Sequence, residues 1–270
     1  MNHIVELRQV GKVYVSARDG ATVEALAGID FNIRRGEFLT IVGPSGCGKS
    51  TLLSLIAGFN APTSGGVSFE GRPVVAPGPE RGVMFQDYAL FPWRTVTGNI
   101  AFGPQARGVD DATARERVRV LIDMVGLRGF EHRYPHELSG GMRQRCALAR
   151  MLANDPTMWL MDEPLAAVDL QTRIILQDEI LRMWGDDDAS RHRARPTVVF
   201  VTHGIDEAVL LADRVLVLGR RPGRIKEVVD VPLPRPRAVM RNTPDVARLT
   251  ARVWDLIHDE AAQAITDESR

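Results

Sequence analysis

Five apolar residues, Phe38 to Val42, run into GPSGCGKST, residues 43–51, and on into KSTLLSLIAGF, whose apolar residues fall at helical spacing. A buried strand, a glycine loop and a helix in direct succession constrain the fold more than anything else in the chain. The loop fits G-x-x-x-x-G-K-[ST] in the context that pattern requires. Its glycines let backbone N–H groups turn inward around phosphate oxygens, and the helix start favours negative charge. Gly43, Pro44, Ser45, Gly46, Cys47, Gly48, Lys49, Ser50 and Thr51 are therefore candidate nucleotide-binding residues. Lys49, expected as a surface cation over the loop, should reach the β- and γ-phosphates of a nucleotide, and Ser50 should bind Mg2+.

The remaining pattern alternates strand with helix. Residues 4–15 and 23–34 read as strands, the second ending in a turn at Gly36; residues 67–74 read as a strand and turn, and 83–85 as a short buried strand. Amphipathic helices are predicted over 111–127, 141–155, 170–184 and 205–213, with strands at 157–163, 197–203, 214–218 and 223–231. After PLPRPR, residues 243–265 read as a terminal amphipathic helix. This order predicts an α/β fold with a mostly parallel sheet covered on both faces and a small antiparallel sheet at one edge. Residues 185–196, charged and poor in apolar groups, read as a solvated loop.

Two further features carry chemistry. Asp162 and Glu163 end an apolar strand, at the carboxyl edge where such sheets bind ligands. Asp162 is the expected outer partner of Mg2+, and Glu163 the candidate that polarises an attacking water; a plain charge pair at a helix start is the alternative. LSGGMRQR, residues 138–145, is a second helix start suited to an anion, far along the chain from the first.

Lys plus Arg equals Asp plus Glu at 34 each, so no basic excess points to nucleic acid. No apolar run approaches a bilayer span, and the first residues lack the layout of a signal peptide. Two cysteines are too few for a disulfide framework, which points to a reducing cytoplasm. Cys47 reads as a small tolerated loop residue rather than a redox switch.

Other P-loop proteins share the glycine loop, and no N-K-x-D guanine motif is present. What distinguishes this chain is the set of pieces around it. Tyr14 precedes the loop on a strand, Gln86 follows VMF, and LSGG opens a helix. Asp162-Glu163-Pro164 is followed by Asp169, and His203 ends a strand. In this order the chain resembles the ATP-binding subunit of an ABC transporter, from about residue 4 to about residue 235. The resemblance implies a P-loop NTPase core over residues 1–235, a helical subdomain at about 87–155, and a helical extension at 236–270.

It also implies how two anion sites coexist. In that family two such domains meet head to tail, and each ATP lies between one chain's phosphate loop and the other's signature. Ser139, Gly140 and Gly141 would complete the site of a second copy, Ser139 by its hydroxyl and as a helix cap, the glycines by close backbone approach. Tyr14 would stack on adenine; a half-buried strand tyrosine is the alternative. Gln86 would sense Mg2+ and water and couple to the membrane partner. His203 would contact the γ-phosphate and orient Glu163, and Asp169 would sit at the dimer contact.

There are departures from the family pattern. Met142 stands where the signature commonly ends in Gln, Gly204 where Asp often follows the histidine, and Ala166 where Ser or Gly is usual. None removes a core catalytic group. LSGGMRQR, RPGRI and VPLPRPR together resemble the subgroup serving nitrate, sulfonate and taurine importers. Residues 85–100 would then form the groove receiving a cytoplasmic helix of the permease, an ordinary packed loop being the alternative. The implied partners are a second copy, transmembrane permease subunits and, indirectly, a periplasmic solute-binding protein, at the cytoplasmic side of the inner membrane. A soluble ABC-type ATPase acting on DNA or ribosomes is the alternative. Such proteins usually carry long coiled-coil insertions, fused cassettes or a basic surface, and this chain has none of these. A regulatory nucleotide-binding module without turnover sits poorly with the presence of both Glu163 and His203.

Overall fold

All five residues of Phe38–Val42, strand β3, are buried, as a strand covered on both faces requires. The computed structural model describes residues 3–16, 18–186 and 195–268. The amino-terminal strands are β1 (His3–Val15) and β2 (Thr22–Arg34). After β3 come helix α1 (Lys49–Ala57) and strands β4 (Ser64–Phe69), β5 (Arg72–Pro73) and β6 (Arg81–Met84). Three helices follow, α2 (Val96–Ala106), α3 (Asp111–Met124) and α4 (Gly140–Leu152). The carboxy-terminal part alternates β7 (Met158–Asp162), α5 (Leu170–Trp184), β8 (Thr197–Val201) and α6 (Ile205–Leu211), then β9 (Arg214–Leu218), β10 (Ile225–Asp230) and α7 (Pro244–Glu268).

The strands form two sheets. One is antiparallel, in the order β2-β1-β4-β5; the other runs β10-β9-β3-β8-β7-β6. In the larger sheet every pairing from β9 to β6 is parallel, and only β10 joins antiparallel at the edge. Helix α1 lies between the sheets: Leu52, Leu55 and Ile56 share one core with Ile4 and Leu7 of β1 and Leu39 and Ile41 of β3. On the opposite face Phe38, Trp159 and Phe200 pack with residues of α2, α3, α4 and α5. A third cluster joins Val246, Leu249 and Val253 of α7 to Val215, Val217 and Val229. The terminal helix is thus part of the packed body.

Parallel pairing matters for the site because it brings carboxyl ends to one edge. Val42 pairs with Val217, Met84 with Met161, and Asp162 with Val201. The residues that follow these strands converge on that edge.

Two local expectations need correction. Helix α2 was not predicted, because its sequence contains Gly98, Gly103 and Pro104, all poor helix formers. Tertiary bonds compensate. Asn99 is fully buried, accepts from Phe91 N at 2.8 Å, and donates to the carbonyls of Phe91, Arg94 and Thr95. Thr95 caps the helix through Gly98 N. The second correction concerns the solvated loop. Residues 187–194 lie outside the described residues, but Asp186 is buried, accepting from Arg235 Nη1 at 2.5 Å and Arg237 N at 2.6 Å. Arg195 and Arg235 each lie over the ring of the buried Trp184, 4.5 and 4.2 Å from its centroid.

Candidate functional site

The phosphate loop begins where β3 leaves the sheet. A Cβ on Gly43 would meet the Leu218 carbonyl oxygen at 2.5 Å. Gly48 has φ 96°, and a Cβ there would meet the Ala25 carbonyl oxygen at 2.8 Å. Both positions therefore require glycine. Helix α1 starts at Gly48 with no side-chain cap and no acid in its first turn. Its first N–H groups are thus left to an incoming anion.

Lys49 is buried rather than a surface cation: it is 6% exposed, and Nζ donates to Gly43 O at 2.8 Å and Pro44 O at 2.9 Å. Ser45, Gly46 and Ser50 are exposed, while Cys47 is buried against the loop. Burial pushes the Cys47 thiol up, with Lys49 opposing. That environment suits an inert thiol.

Asp162 ends β7 and is 9% exposed. Burial raises its pKa, opposed by a hydrogen bond with Ser50, and its Oδ1 is buried with no partner. A buried carboxylate oxygen without a donor is a fit for a cation. Among the described residues no three His, Cys, Asp or Glu side chains gather into a metal cage. The oxygen donors of Ser50 and Asp162 are of the kind that Mg2+ takes, since it binds few protein ligands and keeps phosphate oxygens and water.

Glu163 adopts φ 50°, a costly conformation for a non-glycine residue. Three bonds hold it there. Its N–H donates to Val201 O at 3.0 Å, while its carbonyl accepts from Ala166 N at 3.2 Å and from Gln144 Nε2 at 3.1 Å. The turn aims its carboxylate at His203, whose Nε2 lies 2.7 Å from Glu163 Oε1. Ala166 serves here by its backbone, so its side chain is not needed.

Gln86 is exposed, two residues past Met84, and so reaches the same edge as Glu163. Among the described residues no hydrogen bond joins it to Ser50, Asp162 or Glu163. Tyr14 is half exposed near the end of β1, with Lys12 Nζ 5.1 Å from its ring centroid. It pairs with Val23, two residues before the Ala25 that abuts the phosphate loop.

Ser139 caps α4, accepting from Met142 N at 3.2 Å. Gly141 abuts the chain at Ala167 and Val168. Among the described residues no hydrogen bond joins residues 139–141 to the phosphate loop. Asp169 caps α5 through Thr172, whose hydrogen bond holds its carboxyl below the usual range. The side chain of Met142 packs against the core instead of hydrogen-bonding.

Sequence reading missed Gln144. It is 2% exposed and joins two elements: Nε2 donates to Glu163 O, and Oε1 accepts from Ala167 N, each at 3.1 Å. The available signal was its spacing, since Gln144 shares a helical stripe with the buried Ala147, Leu148 and Met151. It missed as well that Arg221 Nε donates to Gly46 O at 3.2 Å, which ties the loop after β9 to the phosphate loop.

The sequence model of the ABC transporter family matches residues 26–166. The chain is 49% identical to an uncharacterized ABC transporter ATP-binding protein of Methanocaldococcus jannaschii, over 92% of this chain and 89% of that protein. It is 44% identical to the taurine import ATP-binding protein of Roseobacter denitrificans, over 79% and 77%. It is 42% identical to the nitrate import ATP-binding protein of Synechococcus elongatus, over 92% and 89%. Among solved structures, a dimeric post-hydrolysis ATP-binding cassette bound to ADP and Pi superposes with TM-score 0.73 at 29% identity, over 84% of this chain and 98% of that one. The chain belongs to the ABC transporter family, with the P-loop NTPase α/β fold of its ATP-binding cassettes.

Proposed function

We propose that this chain is the ATP-hydrolysing subunit of an importer, acting as a pair of copies that energises uptake of a small anion such as nitrate, a sulfonate or taurine. The import ATP-binding relatives support the solute class. They lend no support to an ATPase acting on DNA or ribosomes. No helix among the described residues is long and apolar enough to cross a membrane. Passage of the solute is therefore assigned to separate permease subunits, with a periplasmic binding protein delivering it and this chain peripheral on the cytoplasmic side. The aromatic face of Phe91, Trp93 and Phe102, with Trp93 largely exposed, suits the permease contact. On this reading residues 1–235 form the ATP-binding domain, about 87–155 its helical subdomain, and 236–270 an extension.

The chemistry is positioning and electrostatics. The open N–H groups of α1 and the loop receive the phosphates, and Lys49 swings from its carbonyls to the β- and γ-oxygens. Ser50 and Asp162 would hold Mg2+, which supplies neutralisation of the charge developing on the transferred phosphoryl group. Glu163 polarises the attacking water, and His203 contacts the γ-phosphate and orients Glu163. Gln86 closes on the site, and Tyr14 stacks on adenine. Ser139, Gly140 and Gly141 face the nucleotide of the second copy, with Asp169 at the contact.

The observation that carries this reading is the division of the anion-binding elements. Phosphate loop, Asp162, Glu163 and His203 gather at one sheet edge, while among the described residues no hydrogen bond joins Ser139, Gly140 or Gly141 to any of them. A test separates shared from self-contained sites. Lys49→Ala and Ser139→Phe each break both sites of a homodimer. In a purified mixed dimer one site combines an intact Lys49 from one chain with an intact Ser139 from the other. Trapped ATP in the mixed dimer, absent from both parents, is the expected result. No gain, with mixed dimers shown to form, refutes the shared site.

A further inference from the structure

The carboxy-terminal extension has no part in the chemistry above, yet one of its residues is linked by hydrogen bonds to the turn that carries His203. Arg241 follows the short turn of 3-10 helix at Arg237–Met240 and precedes α7. Its guanidinium grips α5: Nη1 donates to Gln177 Oε1 at 2.6 Å and Nη2 to Asp178 Oδ1 at 2.5 Å. Gln177 is buried, and its Nε2 donates to Glu207 Oε1 at 2.8 Å. The other oxygen of Glu207 accepts from Thr202 Oγ1 at 2.5 Å, and Thr202 Oγ1 accepts from Gly204 N at 3.0 Å. His203 sits between those two residues.

The direction of this chain is fixed from both ends, by the Arg241 guanidinium and by the Glu207 carboxylate. A guanidinium only donates, so the amide oxygen of Gln177 must face it and the amide nitrogen must face Glu207. A carboxylate only accepts, so the Thr202 hydroxyl must point its hydrogen at Glu207 and offer a lone pair to Gly204 N–H. Without Arg241 the Gln177 amide oxygen loses the guanidinium that anchors it, and the contact with Glu207 is left to hold the side chain. The departure at Gly204 makes the relay necessary. Gly204 is the cap residue of α6 and has no side chain to fix the turn. Thr202 and Glu207 do that work instead.

We propose that Arg241 is a positioning residue for His203, so that the carboxy-terminal extension sets the rate of hydrolysis without touching nucleotide. This rests on the role given to His203 above. Arg241 governs where His203 is held relative to Glu163, and leaves the phosphate loop alone.

The experiment uses the full chain with ¹⁵N-labelled histidine. Arg241→Ala should shift or broaden the His203 imidazole signals, assigned by His203→Gln, and leave those of His132 and His136 in place. ATP affinity should hold while kcat falls by up to about 100-fold, the scale of a roughly 1 Å misplacement at a reacting centre. Arg241→Lys, which keeps a donor for Gln177 Oε1, should recover most of the rate, and Gln177→Leu should reproduce the loss. Unmoved His203 signals in Arg241→Ala overturn the proposal. So does a common shift at His132, His136 and His203 with a matching fall in Tm, which marks general loosening. If the wild-type chain lacks ATPase activity, the proposed function fails, but the His203 signals still decide this inference.

Discussion

Nε2 of His203 and Oε1 of Glu163 lie 2.7 Å apart, although the two residues follow different strands. A carboxylate offers only acceptors, so the proton between them belongs to the imidazole. On the proposed function, that contact fixes the glutamate at the edge where a water would attack. Glu163→Gln should retain ATP binding and lower kcat by roughly 10²- to 10⁴-fold, the range for a lost general base. His203→Ala should likewise lower kcat more than it weakens binding. Steady-state hydrolysis alongside equilibrium nucleotide binding checks both, and wild-type turnover by either variant contradicts the pair.

Asp162 trades stability for chemistry. Its folded pKa is raised by burial above the ordinary value. The folded state therefore holds the proton more tightly than the unfolded chain, and stability falls as pH rises through that interval. At pH 7 Asp162→Asn should make the nucleotide-free protein more resistant to urea while abolishing hydrolysis. The gain should shrink as pH is lowered toward the ordinary carboxylate range. An Asn variant no more stable than wild type at pH 7 contradicts this account.

Asp186 should tolerate little. It is buried between Arg235 and the Arg237 backbone. Burial lowers the Arg237 pKa to about 10, so the local electrostatics are already costly. Asp186→Ala should destabilise the fold by about 3–5 kcal/mol, the cost of breaking one partner out of a buried pair. Excision of residues 187–194, which leaves Asp186 in place, should leave ATPase activity near that of the parent. Urea melts and a hydrolysis assay distinguish the two.

Gln144 links the start of α4 to Glu163 within one chain. Gln144→Leu keeps the volume but leaves the Ala167 N–H and one lone pair of Glu163 O without a partner, at about 1–3 kcal/mol. Because Glu163 depends on such bonds to hold φ 50°, kcat should fall further than stability alone explains. A variant with a lower Tm and an unchanged kcat would mean that Gln144 is only a packing residue.

The nucleotide-binding loop and the acidic strand end were legible in the sequence because their chemistry is local. Residues 43–51 are neighbours along the chain, and so are Asp162 and Glu163. Helices α3, α4 and α5 were legible for the same reason, since helical spacing repeats within a few residues. Tertiary structure decided the rest. The meeting of His203 with Glu163 follows from the parallel register of β7 and β8, which pairs Asp162 with Val201. Helix α2 exists because Asn99 finds four backbone partners, against the propensity of its own glycines and proline. Asp186 looks like loop charge until Arg235 and Arg237 return from the far end of the chain. Composition and spacing report what a segment can do alone. A hydrogen bond between residues tens of positions apart depends on strand order and helix docking, and those are properties of the assembled chain.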